Sequence, residues 1–434
     1  MQLLSGHTSG LRFSSRNRTG VTSEDIAKFM GMQYRFLMNF AYFCIMSGLS
    51  ENKHCQNGNK PLKILLLGDA SNFHNCLAQG LRRMGHDVTV ASDGTTWMNT
   101  ERDIDLSRPL PGKAGGMMLW LKIKSMLAKR FSGYDVVSVN GTCFATLRPK
   151  RLRAIFDFVL RHNRRVFVSV LGSDSHYVGT CTGKNPPLKY SEWEVYGKPT
   201  EYAIANHAEI AEWLSPELSE LCYYIYERSA GAVSALYEYN EICRSIVSDD
   251  RLAYGGIPID TKSIDYSGIN SSRGKINLFL GRHAARILEK GTDRLYEAAR
   301  RVVDAHPDLC TLDVVENIPY ADYVERLRDA DIVLDQLYSY TPATNALLAM
   351  AMGKVVVSGG EPEYYDFIGE YDNRPIINAV PDDDDALFRS IEEAVLNPRS
   401  LIERGIKSRE FAIKHNDADV VAKRFIDFWK SKSL

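Results

Sequence analysis

The sequence lacks the patterns of metal-binding, disulfide-bonded and membrane-spanning proteins. Its eight cysteines lie far apart and form no C-x-x-C pair, so neither a zinc site nor a disulfide framework is indicated. No run of about 20 apolar residues occurs, so no transmembrane helix is predicted. The formal net charge of -1 gives no support to bulk nucleic-acid binding. We therefore expect a cytoplasmic protein that holds neither a metal ion nor a nucleic acid.

Two further motifs that the sequence lacks argue against two classes of enzyme. The segment GDASNF, which follows the first predicted strand, is not G-x-G-x-x-G, and no acidic residue ends the second strand. A dinucleotide cofactor is therefore not expected. No paired carboxylates flank a cleavage site, which disfavours hydrolysis by the two-carboxylate route.

The length of 434 residues exceeds what one hydrophobic core usually serves, so two main domains are expected. Residues 1–59 show no sustained periodicity and are interpreted as a poorly ordered extension. Within them, residues 36–46 form an apolar run like that of a signal segment, but no A-x-A cleavage site follows.

From residue 60 onwards, apolar strands alternate with amphipathic helices in two successive series. This alternation predicts an α/β protein with two Rossmann-like, doubly wound domains that face each other across a cleft. The predicted boundaries are residues 60–256 for an acceptor domain, 257–275 for a linker and 276–412 for a donor domain. Residues 413–434 are predicted to form a helix that packs back towards the first domain.

The loop Gly172–His176 follows a predicted strand of the first domain and carries two ionisable side chains. Asp174 and His176 are candidate catalytic residues if this loop faces the substrate. Alternatively, Asp174 bonds its own backbone in a turn. The following residues 180–200, rich in Gly, Pro, Lys and aromatic residues, are predicted to form a long loop that acts as a lid.

Residues 114–131 combine apolar side chains with Lys122, Lys124, Lys129 and Arg130. One interpretation is a crossover helix packed on the sheet, with lysines that extend to the solvent. The other is a basic amphipathic helix that touches an anionic membrane surface, which would place the protein at the inner face of the membrane.

The segment INLFLGRHAARILEKG starts the second series with a buried strand and a basic loop. Ligands of open α/β sheets bind at the carboxyl ends of strands, beside helix N-termini. Arg282 offers a planar fork and Lys290 a mobile charge, which together suit a diphosphate. The alternative is that both are ordinary solvated cations of a loop.

Two later strand ends carry similar signals. Thr341 and Pro342 are typical of a helix N-cap and first helical position, and Gly353 follows the predicted helix end at residue 352. Gly359 and Gly360 follow the next strand and would let a ligand approach the backbone closely. Three successive strand ends are thus predicted to converge on one anionic ligand.

Residues 62–430 resemble the GT-B glycosyltransferases, in particular the large retaining family 4 group. The Gly68 turn and GHDVTV resemble the opening unit of that family, and IPID at 257–260 resembles its domain-closing segment. LFLGR…EKGTDRLYEAA is similar to the G-R…K-G motif, in which Arg and Lys hold the diphosphate of the donor. DADIVLDQ…ALLAMAMGKVVVSGG is similar to the donor-sugar and nucleotide segment.

The resemblance implies a metal-independent, retaining hexosyltransferase of glycan or polysaccharide biosynthesis. It would move a sugar from a nucleotide-diphosphate-sugar to a hydroxyl of a glycan or lipid-linked acceptor. The donor is then a substrate, and no cofactor is expected. The predicted donor-site residues are Gly68, Gly281, Arg282, Lys290, Tyr340, Thr341, Gly359, Gly360, Glu361 and Glu363.

The sequence departs from the family pattern at two places. Residues 283–289 contain an insertion between the Arg and the Lys. The two glutamates of the family would fall at Tyr340 and Leu348, and neither is acidic, so Glu361 and Glu363 are the nearest acidic substitutes for the ribose contact. Two alternative functions therefore stay open, namely a nucleotide-sugar epimerase of the same fold and a non-catalytic nucleotide-sugar-binding protein.

Overall fold

The N-terminal half is organised by a seven-stranded parallel sheet with the strand order β3-β2-β1-β4-β5-β8-β9. The computed structural model describes residues 60–95, 98–270 and 274–433. The predictions for residues 1–59, including the apolar run at 36–46, lie outside this range. The strands of this half are β1 (Lys63–Leu67), β2 (Asp87–Ser92), β3 (Ile104–Asp105), β4 (Val136–Asn140), β5 (Arg165–Val170), β6 (Glu194–Val195), β7 (Lys198–Pro199), β8 (Ala232–Ser234) and β9 (Leu252–Tyr254).

Both faces of this sheet are covered by helices, as the continuous apolar runs of its strands require. In β1, Ile64 and Leu66 enter one core, whereas Leu65 and Leu67 enter the core on the opposite face. The helices are α1 (Phe73–Arg83), α2 (Gly112–Arg130), α3 (Pro149–His162), α4 (Ser175–Cys181), α5 (Glu201–Ala205), α6 (His207–Trp213), α7 (Pro216–Arg228) and α8 (Tyr237–Cys243).

The C-terminal half repeats the design with a five-stranded parallel sheet in the order β11-β10-β12-β13-β14. Its strands are β10 (Ile276–Arg282), β11 (Cys310–Glu316), β12 (Ile332–Leu334), β13 (Val355–Ser358) and β14 (Ile377–Asn378). Its helices are α9 (Ile287–Lys290), α10 (Thr292–Ala305), α11 (Tyr320–Asp329), α12 (Thr344–Ala351), α13 (Pro362–Phe367), α14 (Asp384–Leu396), α15 (Pro398–Asn416) and α16 (Ala418–Ser431). The predicted pair of doubly wound sheets is confirmed.

The last helix, α16, packs on the first half of the chain rather than on the sheet that precedes it. Phe425 lies 6.0 Å from Phe73 between ring centroids, and Trp429 lies 6.0 Å from Phe167. Arg83 of α1 also donates to Asp419 at 2.6 Å. Since Phe425 and Trp429 are both fully buried, this helix joins the two halves through apolar contact.

Three local predictions need correction. The helix expected after Thr341 begins at Thr344, with Ala343 as its N-cap. Asp174 and His176 do not lie in an open loop, because residues 175–181 form α4. Residues 180–200 are not simply a loop, since they contain the β6–β7 hairpin. In the described part of the chain, no helix is long and apolar enough to cross a membrane.

Candidate active site

The carboxyl ends of β10, β12 and β13 lie side by side in the five-stranded sheet. Leu278 of β10 is in register with Ile332 of β12, which in turn is in register with Val355 of β13. Strands β12 and β13 are fully buried and β10 is partly exposed at its end, so a ligand can contact only the strand ends and the residues that follow them. The sequence thus brings Arg282, Thr341 and Gly359 to one edge of one sheet.

Arg282 ends β10 with its guanidinium only loosely paired. Its nearest carboxylate oxygen, on Glu316, lies 3.6 Å away, although a charge-assisted hydrogen bond usually measures about 2.7–2.9 Å. The guanidinium stacks over the ring of Tyr296, with 5.2 Å from Cζ to the ring centroid. Its buried Nε finds no hydrogen-bond partner within the described residues. The Arg282 guanidinium is therefore held in place, but its capacity to donate hydrogen bonds is not filled by the protein.

Lys290 is held in a similar way at the end of α9. Its Nζ lies 3.7 Å from the Oδ1 atom of Asp335, whose side chain is fully buried. That carboxylate is already occupied, because it accepts 3.1 Å hydrogen bonds from Asn345 and from Ser358. Lys290 therefore has a long ion pair to a carboxylate that other groups satisfy, and its ammonium can donate to a further anion.

The backbone around Lys290 fixes its place. Gly291 adopts a left-handed conformation with φ of 64°, and a Cβ at this position would lie 2.7 Å from the Cβ of Leu337. The amide of Leu337 donates to the carbonyl of Lys290 at 2.9 Å. The inserted residues 283–289 form a short 3-10 turn and most of α9, closed by an ion pair between Arg286 and Glu289 at 2.6 Å. The insertion is thus ordered around the lysine.

The glycines of the predicted site lie where a side chain would clash with other atoms of the protein. A Cβ at Gly359 would meet the carbonyl oxygen of Ser339 at 2.3 Å, and one at Gly281 would meet the ring of Tyr323 at 2.3 Å. Gly360 faces Ile376 in the same way, at 2.9 Å. In the first half, Gly68 has φ of 81° and packs against the backbone of Phe144. The close approach at Gly359 is made by the Ser339–Thr341 backbone in this structure.

Thr341 contacts a carboxylate of the N-terminal half instead of capping a helix. Its hydroxyl donates to Glu238 at 2.6 Å and accepts from the amide of Tyr237 at 3.2 Å. Ser339 also donates to Glu238, at 2.7 Å. Burial raises the pKa of Glu238, although these hydroxyl groups act in the opposite direction. Glu238 is a site residue that the sequence prediction missed.

Tyr340 lies under the segment that was predicted to act as a lid. Its hydroxyl accepts from the amide of Lys189 at 2.6 Å, and its ring centroid lies 4.8 Å from that of Tyr190. Both partners belong to the hairpin segment, which we define as residues 183–199. A cavity of about 610 Å³ opens within this segment and is lined in part by Lys189. The hairpin segment therefore contacts residues at the carboxyl edge of the five-stranded sheet.

The hairpin segment also forms ion pairs with the two candidate glutamates, Glu361 and Glu363. Lys189 Nζ lies 2.7 Å from the carboxylates of both Glu361 and Glu363. Glu361 also accepts from the Tyr190 hydroxyl at 2.8 Å and from Asn378 at 2.6 Å. Burial acts to raise the pKa of Glu361, but the hydrogen bonds from Lys189, Asn378 and Tyr190 lower it overall. Neither oxygen of Glu361 is open to a ribose in this arrangement.

Asp174 and His176 are engaged by the helices next to them. Asp174 caps α4 by accepting from the Tyr177 amide at 2.9 Å, and it accepts from the Tyr226 hydroxyl at 2.8 Å. His176 lies 2.8 Å from the Ser245 hydroxyl. Both side chains are buried, and the Tyr223 hydroxyl lies 3.4 Å from Nδ1 of His176, so each of their polar atoms has a partner without a substrate. Their catalytic role stays a prediction.

Two further carboxyl groups have raised pKa values. Asp69 directly follows Gly68 at the end of β1, and burial raises its pKa to about 7 although its own loop amides donate to it. Its Oδ2 atom has no partner among the residues that the structure describes. Burial also raises the pKa of Glu192, which accepts from Tyr177, to about 7. The strand end gave a signal for Asp69, whereas nothing in the sequence marked Glu192.

Comparison with known proteins identifies the architecture. No protein-family model matches the sequence, and a search of curated proteins finds no match. A sucrose-phosphate synthase from Thermosynechococcus elongatus matches with a TM-score of 0.55 at 13% identity, over 85% of this chain and 98% of that one. An alpha-glucosyltransferase in complex with UDP and a 13-mer DNA containing a HMU base matches with a TM-score of 0.54 at 12% identity, over 86% and 100%.

A third structure agrees with these two. HepE from Anabaena, in complex with UDP and glucose, matches with a TM-score of 0.50 at 13% identity, over 86% of this chain and 100% of that one. The matches span nearly the whole described chain, so the protein has the GT-B glycosyltransferase fold. The fold prediction made from the sequence is confirmed.

Proposed function

We propose that the protein transfers a sugar from a nucleotide-diphosphate-sugar to an acceptor hydroxyl. The observation that carries this proposal is that the ion pairs of Arg282 and Lys290 within the protein are long. Both cations lie at the carboxyl edge of the five-stranded sheet, and their nearest carboxylates stand 3.6 Å and 3.7 Å away. A diphosphate between them would supply the charge-assisted contacts that the protein itself does not.

The GT-B fold supports this donor class, because two structures with that fold were solved with UDP. In the proposed reaction, the bond between the anomeric carbon and the diphosphate oxygen breaks, the acceptor oxygen bonds to that carbon, and the proton of the acceptor hydroxyl passes to the leaving diphosphate. Negative charge then develops on the leaving diphosphate. Arg282 and Lys290 are fixed before the reaction, so they stabilise this charge electrostatically without reorganisation. The proposal assigns this role to the two cations and to no metal ion.

The hairpin segment implies a second step in donor binding. Lys189 and Tyr190 already hold both carboxylate oxygens of Glu361 by hydrogen bonds. We therefore propose that residues 183–199 withdraw before Glu361 or Glu363 contacts a donor. Such a segment closes again over the bound substrate and excludes water.

A non-catalytic nucleotide-sugar-binding protein is the second candidate. It is favoured by the residues at the two family glutamate positions: Tyr340 is held by Lys189, and Leu348 is apolar. Such a protein would bind the donor but turn over no acceptor. An epimerase would instead convert the donor with no acceptor present.

The test has two stages. A thermal-shift screen with UDP, GDP, ADP and their sugar conjugates should find a nucleotide that raises the melting temperature, because a ligand that binds only the folded state stabilises it by mass action. Product analysis with that donor, with and without glycan and lipid-linked acceptors, then separates the candidates. Acceptor-dependent release of the diphosphate supports transfer, and NMR of the product gives its anomeric configuration. Stabilisation by none of these nucleotides would contradict the proposal.

A further inference from the structure

The basic side chains of this protein are concentrated in one part of the chain. The whole sequence has 53 Lys and Arg against 54 Asp and Glu, so it is close to neutral. Residues 106–173, however, contain thirteen Lys and Arg and only two acidic residues, Asp135 and Asp157. The remainder of the chain is therefore net acidic. A single region of high positive charge on a neutral protein orients it in front of an anionic partner.

Nine of these cations lie on two helices, α2 and α3. Helices α2 and α3 contact each other through Arg151, which donates to the carbonyl of Gly116 at 2.9 Å and lies over the ring of Trp120 at 5.9 Å. We call these two helices the basic helix pair. Across the described part of the chain, Lys122 is the one cation of residues 106–173 that forms an ion pair, with Asp105 at 3.2 Å. The protein thus leaves the charge of the basic helix pair largely unneutralised.

Apolar side chains are also exposed on the basic helix pair. In α2, Leu119 and Ile123 face the core, but Met117 and Met118 are each 46% exposed and Leu121 is 56% exposed. Helices of parallel sheets run opposite to the strands, so the first turns of α2 and α3 lie near the carboxyl edge of the seven-stranded sheet. The exposed methionines therefore lie towards the edge at which an acceptor would enter.

We propose that the basic helix pair docks on an anionic lipid bilayer, with Met117, Met118 and Leu121 inserted between the headgroups. A bilayer with anionic lipids matches both the unneutralised cations and the exposed apolar side chains, because it offers negative charge and an apolar layer beneath it. A second copy of this chain fits poorly, since a two-fold interface would set the same unneutralised cations against each other. A nucleic acid would pair with the cations but leave the exposed methionines and leucine without an apolar partner.

This inference extends the proposed function only in one respect, because the membrane would then present a lipid-linked acceptor to the cleft. Docking itself requires no nucleotide sugar. Vesicle binding and donor binding can therefore fail independently, and each result speaks to its own proposal.

The test is co-sedimentation of the full chain with vesicles of phosphatidylcholine alone and of phosphatidylcholine mixed with phosphatidylglycerol, at low and high salt. Wild-type protein should sediment with the anionic vesicles and be released by salt. The triple variant Lys124→Gln/Lys129→Gln/Lys150→Gln should bind them about 100-fold more weakly, because each cation near the surface contributes a factor of about five. The variant Met118→Ser/Leu121→Ser should lose the binding that remains at high salt.

A matched control removes the same charge elsewhere. Arg389, Lys407 and Lys423 are exposed on α14, α15 and α16. The variant Arg389→Gln/Lys407→Gln/Lys423→Gln should bind anionic vesicles like the wild type, and the melting temperatures of all variants show that they fold. Equal losses in the two triple variants would overturn the inference. So would retention by an RNA or DNA fragment without any vesicle binding.

Discussion

The carboxyl edges of the two parallel sheets satisfy their ionisable groups in opposite ways. On the seven-stranded sheet, Asp174 caps a helix and accepts from a buried tyrosine, and His176 bonds a serine. On the five-stranded sheet, Arg282 and Lys290 stand 3.6 Å and 3.7 Å from their nearest carboxylates. One edge is completed by the chain, while the other keeps charge available for a ligand.

This difference shows how position in a fold separates structural from ligand-binding groups. Ionisable residues at strand ends are candidates for function wherever they occur. A buried group whose polar atoms are all hydrogen-bonded within the protein contributes to the stability of the fold. A fixed cation whose ion pairs are long can still form strong hydrogen bonds with an anionic ligand. Asp69 is an exception on the seven-stranded sheet, because one of its oxygens has no partner within the described ranges.

The largest effect is expected at Asp174. Asp174→Ala removes a helix cap and leaves the buried Tyr226 hydroxyl without an acceptor, so the free energy of unfolding should fall by about 3 kcal/mol. Urea denaturation measures this loss. Asp174→Asn keeps one side-chain oxygen, which can accept one of these two hydrogen bonds, so its free energy of unfolding should fall much less. A folded Asp174→Asn variant that binds donor but transfers no sugar would instead support the catalytic prediction.

A second effect concerns pH and Glu192. Because its folded-state pKa lies near 7 and its ordinary value is 4.5, this group stabilises the fold fully below pH 4.5 and loses that contribution as pH rises through 7. Glu192→Gln keeps an acceptor for Tyr177 and should reduce the stability difference between pH 4.5 and 8 by about 2 kcal/mol. Denaturation at both pH values is the measurement.

The exposed Glu217 on α7 provides the control for this experiment. Glu217→Gln should keep the wild-type dependence on pH. An unchanged pH dependence in Glu192→Gln would show that its carboxyl is not buried in solution as the structure describes.

The smallest effect is expected where the two edges touch. Thr341→Val removes one hydroxyl from Glu238 while Ser339 remains, so the loss of stability should be about 1 kcal/mol. A double-mutant cycle with Glu238→Gln should show coupling between the two positions. Strictly additive losses would mean that the Thr341 hydroxyl serves the following helix, as the sequence pattern suggested, and not Glu238.

Much of the fold was predictable from the sequence because hydrophobic periodicity decides it. The predicted alternation of strands and helices is observed in strongly patterned segments such as Ile276–Arg282, Thr292–Ala305, Val355–Ser358 and Asp384–Leu396. The helix after Thr341 was misplaced because a threonine before a proline is typical of a cap in sequence alone. Its hydroxyl bonds a glutamate 103 residues away, and no local pattern reports such a contact.

The candidate site was predictable only in part. Arg282 and Lys290 were singled out because a basic loop directly follows a buried strand, and their role in binding stays a prediction. Lys189 and Tyr190 were missed because they come from the hairpin segment of the other half of the chain, and their partners Glu361 and Glu363 follow more than 170 residues later. Which side chains are already satisfied depends on tertiary contacts of this kind, and the sequence carries no direct record of them.

The most direct test of the donor-site proposal is calorimetric titration with UDP and with inorganic pyrophosphate. Pyrophosphate reports on the diphosphate contacts without any contribution from a base. Arg282→Ala and Lys290→Ala should each weaken binding of either ligand by about 2 kcal/mol, or roughly 30-fold, while the proteins stay folded. Arg300→Ala removes an exposed arginine from α10 of the same half and should bind like the wild type. Wild-type affinity in both Arg282→Ala and Lys290→Ala would contradict the assignment of these cations to a diphosphate.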